Sequence, residues 1–332
     1  MNGVAVQKDL PSRCVMFPLL LARRDRQDPD TMPPKFFFPA TPQLPLPDGH
    51  RFPANKYGLL RERLRSGGII DNEMLCPSPP ATRDELLAAH APEYVDAIAD
   101  GSVDPEIMRR IGLPWSDVLA RRSRATVGGT VAAARLALAS GLSGQLAGGT
   151  HHAHHAFGSG FCTFNDFAVA SELLLREGKC TRIAVLDVDV HQGDGNGALL
   201  RENPAVLVIS IHGEKNFPFR KVACDIDIGL PDGTEDRAYL NQLADALAAI
   251  AAHRPDLILY NSGVDPLESD RLGRLSLSFD GLYARDTMVF EFARRNAVPI
   301  AIAIGGGYAT PIDDSVRAYA NTFIAAKTVF GF

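Results

Sequence analysis

Asp187-Val188-Asp189-Val190-His191 ends an apolar run, Ile183 to Leu186, and opens into Gln192-Gly193-Asp194-Gly195-Asn196-Gly197. The run reads as a buried strand closed by a glycine-rich turn. The two-residue period of a strand puts Asp187, Asp189 and His191 on one side of it. Two carboxylates and an imidazole are costly to bury unless something compensates their polarity. A metal ion would do so, because imidazole nitrogen and carboxylate oxygen both suit zinc. The bland alternative is a strand end whose acids and histidine only cap turns, so the rest of the chain must decide.

Gly148-Gly149-Thr150 leads into His151-His152-Ala153-His154-His155, four histidines in five residues of a chain that has nine. Further on lie four strand-like runs, at 182–190, 205–212, 256–261 and 298–304. Helical patterns fill 56–66, 82–100, 121–139, 166–177, 234–253, 279–296 and 313–330, the second opening with a Thr82/Glu85 capping pattern. Strands alternating with such helices imply βαβ units and a parallel sheet. Between 35 and 53, prolines and aromatics suit an extended loop or an edge strand.

Ligands of open parallel sheets sit at the carboxyl ends of the strands. The four runs end in Asp187, Asp189, His191 and Asp194; in Ser210-Ile211-His212; in Asn261-Ser262-Gly263-Val264-Asp265; and in Gly305-Gly306-Gly307-Tyr308. Acids, histidines and a tyrosine therefore gather at one edge of an apolar sheet, which turn capping alone does not explain. Asp189, His191 and Asp265 would make three protein ligands with a position left open, the mark of a catalytic metal. Hydrolysis at such a metal needs a base and an acid. His151 and His152 are candidates, with Asp187 and Asp194 as spare orienting carboxylates. Tyr308, on its glycine-rich turn, could donate to a developing oxyanion.

Composition narrows the class. Thirty-four basic and thirty-nine acidic residues give a net charge of −5, so no global polycation faces nucleic acid or a membrane. The 46% hydrophobic content suffices for a large α/β core. Five dispersed cysteines form no zinc-binding spacing and suggest free thiols in a reducing compartment, the cytoplasm first, with a nuclear or organellar site open in a eukaryote. No run approaches the ~20 apolar residues of a membrane span, and no signal peptide is recognised. Residues 1–34 read as a poorly ordered extension before one domain over 35–332.

Five ordered motifs together resemble the zinc-dependent histone deacetylase family: Gly149-Thr150-His151-His152-Ala153, Gly160 to Asp166, Asp187 to Gly195, Asp265-Pro266-Leu267, and Gly305-Gly306-Gly307-Tyr308. Gly-Leu-Pro-Trp-Ser at 112–116 and Leu-Pro-Asp-Gly-Thr at 230–234 look most like class IV and its bacterial relatives. The resemblance implies the arginase-deacetylase fold, a central, mainly parallel sheet with helices on both faces. It implies one Zn²⁺ on Asp189, His191 and Asp265, His152 as general base oriented by Asp194, and His151 paired with Asp187 in an electrostatic role. Tyr308 would donate to the substrate carbonyl. Gly160, Phe161, Phe217 and Gly306 would line the path of an acyl-lysine, with Phe219 the competitor of Phe217. A structural K⁺ is implied beside Asp187, Asp189, His191, Ser210 and Ile211. His154 and His155 fall outside the motif and are expected to be rim residues.

The implied reaction is hydrolysis of Nε-acyl-lysine, acetyl or longer, in proteins or peptides. Rival readings are a deacetylase of small amines such as acetylpolyamines, a two-manganese ureohydrolase of the same fold, and a non-catalytic acyl-lysine binder. The absence of a long insertion, the His-His pair and the retained tyrosine weigh against them in turn.

Overall fold

Residues 32–332 are described in the computed structural model; most of the proposed N-terminal extension, residues 1–31, lies outside them. In chain order the first elements are β1 (Phe36–Phe38), α1 (Lys56–Ser66), β2 (Leu75–Pro77), α2 (Arg83–Leu86), α3 (Pro92–Asp100) and α4 (Pro105–Ile111). A long helix, α5 (Asp117–Ser140), then leads to β3 (Leu142–Gln145), α6 (Asp166–Arg176), β4 (Ile183–Asp187) and α7 (Asp194–Leu200). The remainder is β5 (Val206–Gly213), β6 (Ile226–Leu230), α8 (Asp236–His253), β7 (Leu257–Asn261), α9 (Phe279–Arg295), β8 (Ile300–Ala303) and α10 (Ile312–Phe330).

The eight strands form one sheet in the order β2-β1-β3-β8-β7-β4-β5-β6, and every pairing is parallel. Such a sheet must be covered on both faces, and the period of the strands divides the apolar residues between two cores. Ala184 and Leu186 of β4 pack with Leu243 of α8, Phe290 of α9 and Phe323 of α10. Ile183 and Val185 face the other way, toward Val127 and Val131 of α5 and Phe167 of α6. Each fully buried Leu, Ile or Phe contributes roughly 1.5–3 kcal/mol.

The differences from the sequence reading have local causes. The helix expected over 82–100 is two helices. Thr82 and Glu85 do form a capping box, but Ala91, ahead of Pro92, is extended at ψ 138° and breaks the run. The strand expected over 182–190 stops at Asp187, so Asp189 and His191 are carried by the turn and not by one side of the strand. The segment 35–53 contributes β1, which lies one strand in from the sheet edge formed by β2.

One buried cation ties the strand ends together. Arg285 of α9 is fully buried and paired with Asp286 at 2.8 Å. It donates to the carbonyl of Gly263 at 2.6 Å and reaches those of Ser262 and Val188 at 3.4 and 3.5 Å. Asp286 in turn accepts from Tyr260 and Thr322 at 2.5 and 2.6 Å. Arg285→Met strips Asp286 of its counter-charge and leaves Gly263 O without its donor. It should cost roughly 3–5 kcal/mol in denaturant titration; a loss under about 1 kcal/mol would contradict this bracing role.

Candidate active site

The reactive side chains converge from the carboxyl ends of β3, β4, β7 and β8, four consecutive strands of the sheet. Asp189, His191 and Asp265 are all buried, and one ligand atom from each lies within 4.8 Å of the others. His191 Nδ1 is 3.0 Å from Asp189 Oδ1 and 3.1 Å from Asp265 Oδ2. The backbone fixes both acids: Gly306 N donates to Asp189 Oδ2 at 2.6 Å and Val190 N to Asp265 Oδ1 at 2.8 Å. Burial pushes the imidazolium of His191 down, but its hydrogen bonds to the two carboxylates win and raise it to about 10. That proton sits where a cation would bind, and a metal would displace it.

The donor set tests the metal directly. One imidazole nitrogen and two carboxylate oxygens, buried and aimed at a common point, match a three-ligand zinc site with an open position. Glycine makes the space. A Cβ on Gly306 would lie 2.0 Å from Asp265 Oδ2 and 2.7 Å from Asp189 Oδ2, so any side chain there displaces a ligand.

His151 and His152, in the loop after β3, lie with ring centroids 4.0 Å apart and planes tilted by 45°. His151 Nδ1 donates to Asp187 Oδ2 and His152 Nδ1 to Asp194 Oδ1, each at 2.6 Å. The loop is pinned by buried Asp166, which accepts from Gly149 N at 3.0 Å and Thr150 N at 2.8 Å. Asp187 is held further by Asn261 Nδ2 at 2.8 Å and Asn196 Nδ2 at 3.2 Å. These environments drive the two imidazoles apart. Burial lowers both, but for His151 the charges of Asp187 and Asp189 prevail and raise it to about 9. For His152 burial and the neighbouring His151 charge outweigh Asp194 and lower it to about 4. The protein thus pushes the two imidazoles in opposite directions, His151 up and His152 down, the pattern of a divided acid and base.

Tyr308 is 8% exposed, and its ring stands perpendicular to that of His191 with centroids 6.4 Å apart. Asp270 accepts from Tyr308 N at 2.5 Å and Arg271 Nε donates to its carbonyl at 3.1 Å, which fixes the turn. Burial raises the phenol well above its usual value and keeps it a donor.

Phe217, Phe161 and Gly160, expected along the substrate path, lie against His152 and Tyr308. Phe217 meets His152 edge-to-face at 4.9 Å, whereas Phe219 is 86% exposed. Phe161, at φ +66°, packs on Phe52 at 5.2 Å and faces Tyr308 at 6.0 Å. Gly160 is wedged between His152 and Phe217; a Cβ there would be 2.5 Å from the His152 ring. Cys162 Sγ donates to the Gly160 carbonyl at 3.4 Å. Gly306 is turned toward the ligands, with its N–H on Asp189 and its carbonyl bonded to Val264 N at 2.7 Å. Asp187 and Ser210 are register neighbours at the ends of β4 and β5, with buried Ile211 next along β5.

Sequence reasoning missed several residues. His154, set aside as a rim residue, donates from Nε2 to Asp194 Oδ2 at 3.1 Å and stacks on Phe157. His155 is exposed and bonds Ala89 O. Asp166, Asn196, Asn261 and Asp270 position the reactive groups. The four-histidine cluster was the available signal for His154.

With this geometry in hand, the comparisons agree. The Histone deacetylase domain model matches residues 50–324. An uncharacterized protein of Picosynechococcus sp. is 42% identical over 287 residues, covering 86% of this chain and 96% of its own. Histone deacetylase 2 of Arabidopsis thaliana is 30% identical over 282 residues, covering 81% of this chain and 73% of its own. The crystal structure of an HDAC homolog complexed with SAHA superposes with a TM-score of 0.74 at 24% identity, over 90% of this chain and 89% of that one. The chain belongs to the histone deacetylase family.

The Gly306→Ala variant should fold yet bind Zn²⁺ at least about tenfold more weakly, because the methyl group collides with Asp265. Metal titration of the apoprotein reads this, and unchanged affinity would remove Gly306 from the site.

Proposed function

We propose that this chain hydrolyses the amide of Nε-acyl-lysine in proteins or peptides. The observation that carries this reading is the His151–Asp187 and His152–Asp194 pairs set beside the buried Asp189, His191 and Asp265 cluster and the buried Tyr308. Water adds its oxygen to the acyl carbon, the C–N bond breaks, and the lysine nitrogen takes the proton, giving an amine and a carboxylate. Zn²⁺, held by Asp189, His191 and Asp265, would when bound polarise the carbonyl and acidify a water.

The chain's own groups supply the rest. With Nδ1 committed to Asp194, His152 presents Nε2 as the base that accepts the water proton and returns it to the departing nitrogen. His151, held as imidazolium by Asp187 and Asp189, supplies positive charge beside the reaction centre. The Tyr308 hydroxyl donates to the carbonyl oxygen as negative charge builds. Phe161 and Phe217 flank the lysine stem. K⁺ is assigned to the region of Asp187, Asp189, His191, Ser210 and Ile211. The 112–116 and 230–234 motifs support placement with class IV and its bacterial relatives. Free Cys76, Cys162, Cys180 and Cys224 support a reducing compartment, and we assign the cytoplasm. No helix among the described residues is long and apolar enough to cross a membrane.

A zinc-loaded preparation should cleave acetyl-lysine peptides in preference to N-acetylputrescine. Tyr308→Phe should reduce turnover by roughly 10²–10³-fold with metal retained; undiminished turnover would eliminate the tyrosine's role. The pH profile follows from the base. A depressed imidazole is lost as a base only when pH falls through its own value, so the acid limb of kcat/KM should lie well below 6.5, toward about 4. An acid limb at 6.5 or above in zinc-buffered solution would contradict His152 as the base.

A further inference from the structure

A cavity of about 50 Å³ lies beside the loop that carries His151. Thr150, one residue before His151, lines it, and Phe161 forms a wall shared with the lysine path. Its most distinctive lining residue is Arg122 of α5. The guanidinium lies over the Tyr57 ring, 4.2 Å from the centroid, and makes no hydrogen bond or ion pair among the described residues. Every salt bridge of α5 is made by other arginines, Arg121 with Asp117 and Arg135 with Glu85 and Glu177.

A second cation lies by the same ring. Lys56 is 1% exposed, with Nζ 5.3 Å from the Tyr57 centroid and 4.8 Å from that of Tyr308. Its hydrogen bonds go to neutral partners: the Tyr319 hydroxyl at 3.0 Å, Gly307 O at 3.3 Å and Gly305 O at 3.5 Å. No carboxylate pairs with it among the described residues. Buried charges are ordinarily paired, yet buried Lys56 and half-buried, cavity-lining Arg122 both lie over the ring of Tyr57, itself a lining residue, and neither has a carboxylate within ion-pair distance among the described residues. That field favours an anion in the cavity, and a planar guanidinium is the group best shaped to hold a carboxylate.

We propose that the cavity receives the free carboxylate of a dicarboxylic acyl group, with Arg122 as the recognising cation. This rests on the proposed lysine-deacylase reading and narrows it: lysines bearing succinyl or glutaryl groups are substrates. A lysine stem entering between Phe161 and Phe217 puts the acyl carbon at the metal cluster, and the remaining acyl chain continues toward Thr150. The cavity volume corresponds to roughly three to five waters, enough for a carboxylate and the methylenes that carry it. Hydrolysis proceeds as for acetyl: C–O forms, C–N breaks, the amine takes the proton, and the dicarboxylate leaves.

The test compares glutaryl- and succinyl-lysine peptides with the pentanoyl- and butyryl-lysine peptides of similar length, on zinc-loaded wild type, Arg122→Gln and Arg122→Lys. In wild type the acidic acyl groups should have the higher kcat/KM. The acid-to-neutral ratio should fall roughly 10- to 100-fold in Arg122→Gln and recover in part in Arg122→Lys. A preference for the neutral chains in wild type, or a ratio untouched by Arg122→Gln, would overturn the proposal. A loss confined to inhibition by free acetate would also overturn it, making Arg122 a contact of the released product. Calorimetric binding of glutarate to the zinc-loaded proteins needs no turnover. It should be at least about tenfold weaker in Arg122→Gln, and equal affinities would refute the site. If no peptide is cleaved while that binding difference stands, the deacylase reading fails and the carboxylate site does not.

Discussion

Two carboxylates and an imidazole cannot share a dry volume a few ångströms across unless a cation joins them. Asp189, His191 and Asp265 are placed in that situation by the fold, and much of the surrounding structure serves to keep them there. The ends of four neighbouring parallel strands deliver the side chains to one edge. Arg285 grips the carbonyls beneath them. Backbone N–H groups of Val190 and Gly306 orient the acids, and glycine at 306 leaves the ligands room.

The same electrostatic constraint organises the proton chemistry. Two imidazoles with ring centroids 4.0 Å apart disfavour each other's charge. The one nearer Asp187 and Asp189 keeps its proton, and the one paired with Asp194 gives its proton up. His154 extends this network, since Asp194 is held at one oxygen by the base and at the other by a second histidine.

The reactive core was legible in sequence because each part sits directly after an apolar strand, where a short run of acids, histidines and glycines has few structural uses. Long amphipathic helices were legible too, and 56–66 was read to its observed ends. Short elements were not: β2 has three residues, and β6 alternates half-buried with exposed positions at the sheet edge. The partners of buried polar groups were also hidden. Nothing local in Lys56 or Arg122 reveals that they meet at Tyr57, and Asp194 lies 40 positions from His154. The side on which Asp189 and His191 point could not follow from strand alternation, because the strand has already ended at Asp187.

The most direct test of the metal-centred account is anomalous diffraction at the zinc edge from zinc-loaded crystals. The account expects one strong peak bounded by Asp189, the Nδ1 of His191 and Asp265, with His152 and Tyr308 facing its open side. A peak elsewhere, or a pair of peaks bridged by shared carboxylates, would contradict the single-metal site on which the proposed chemistry depends.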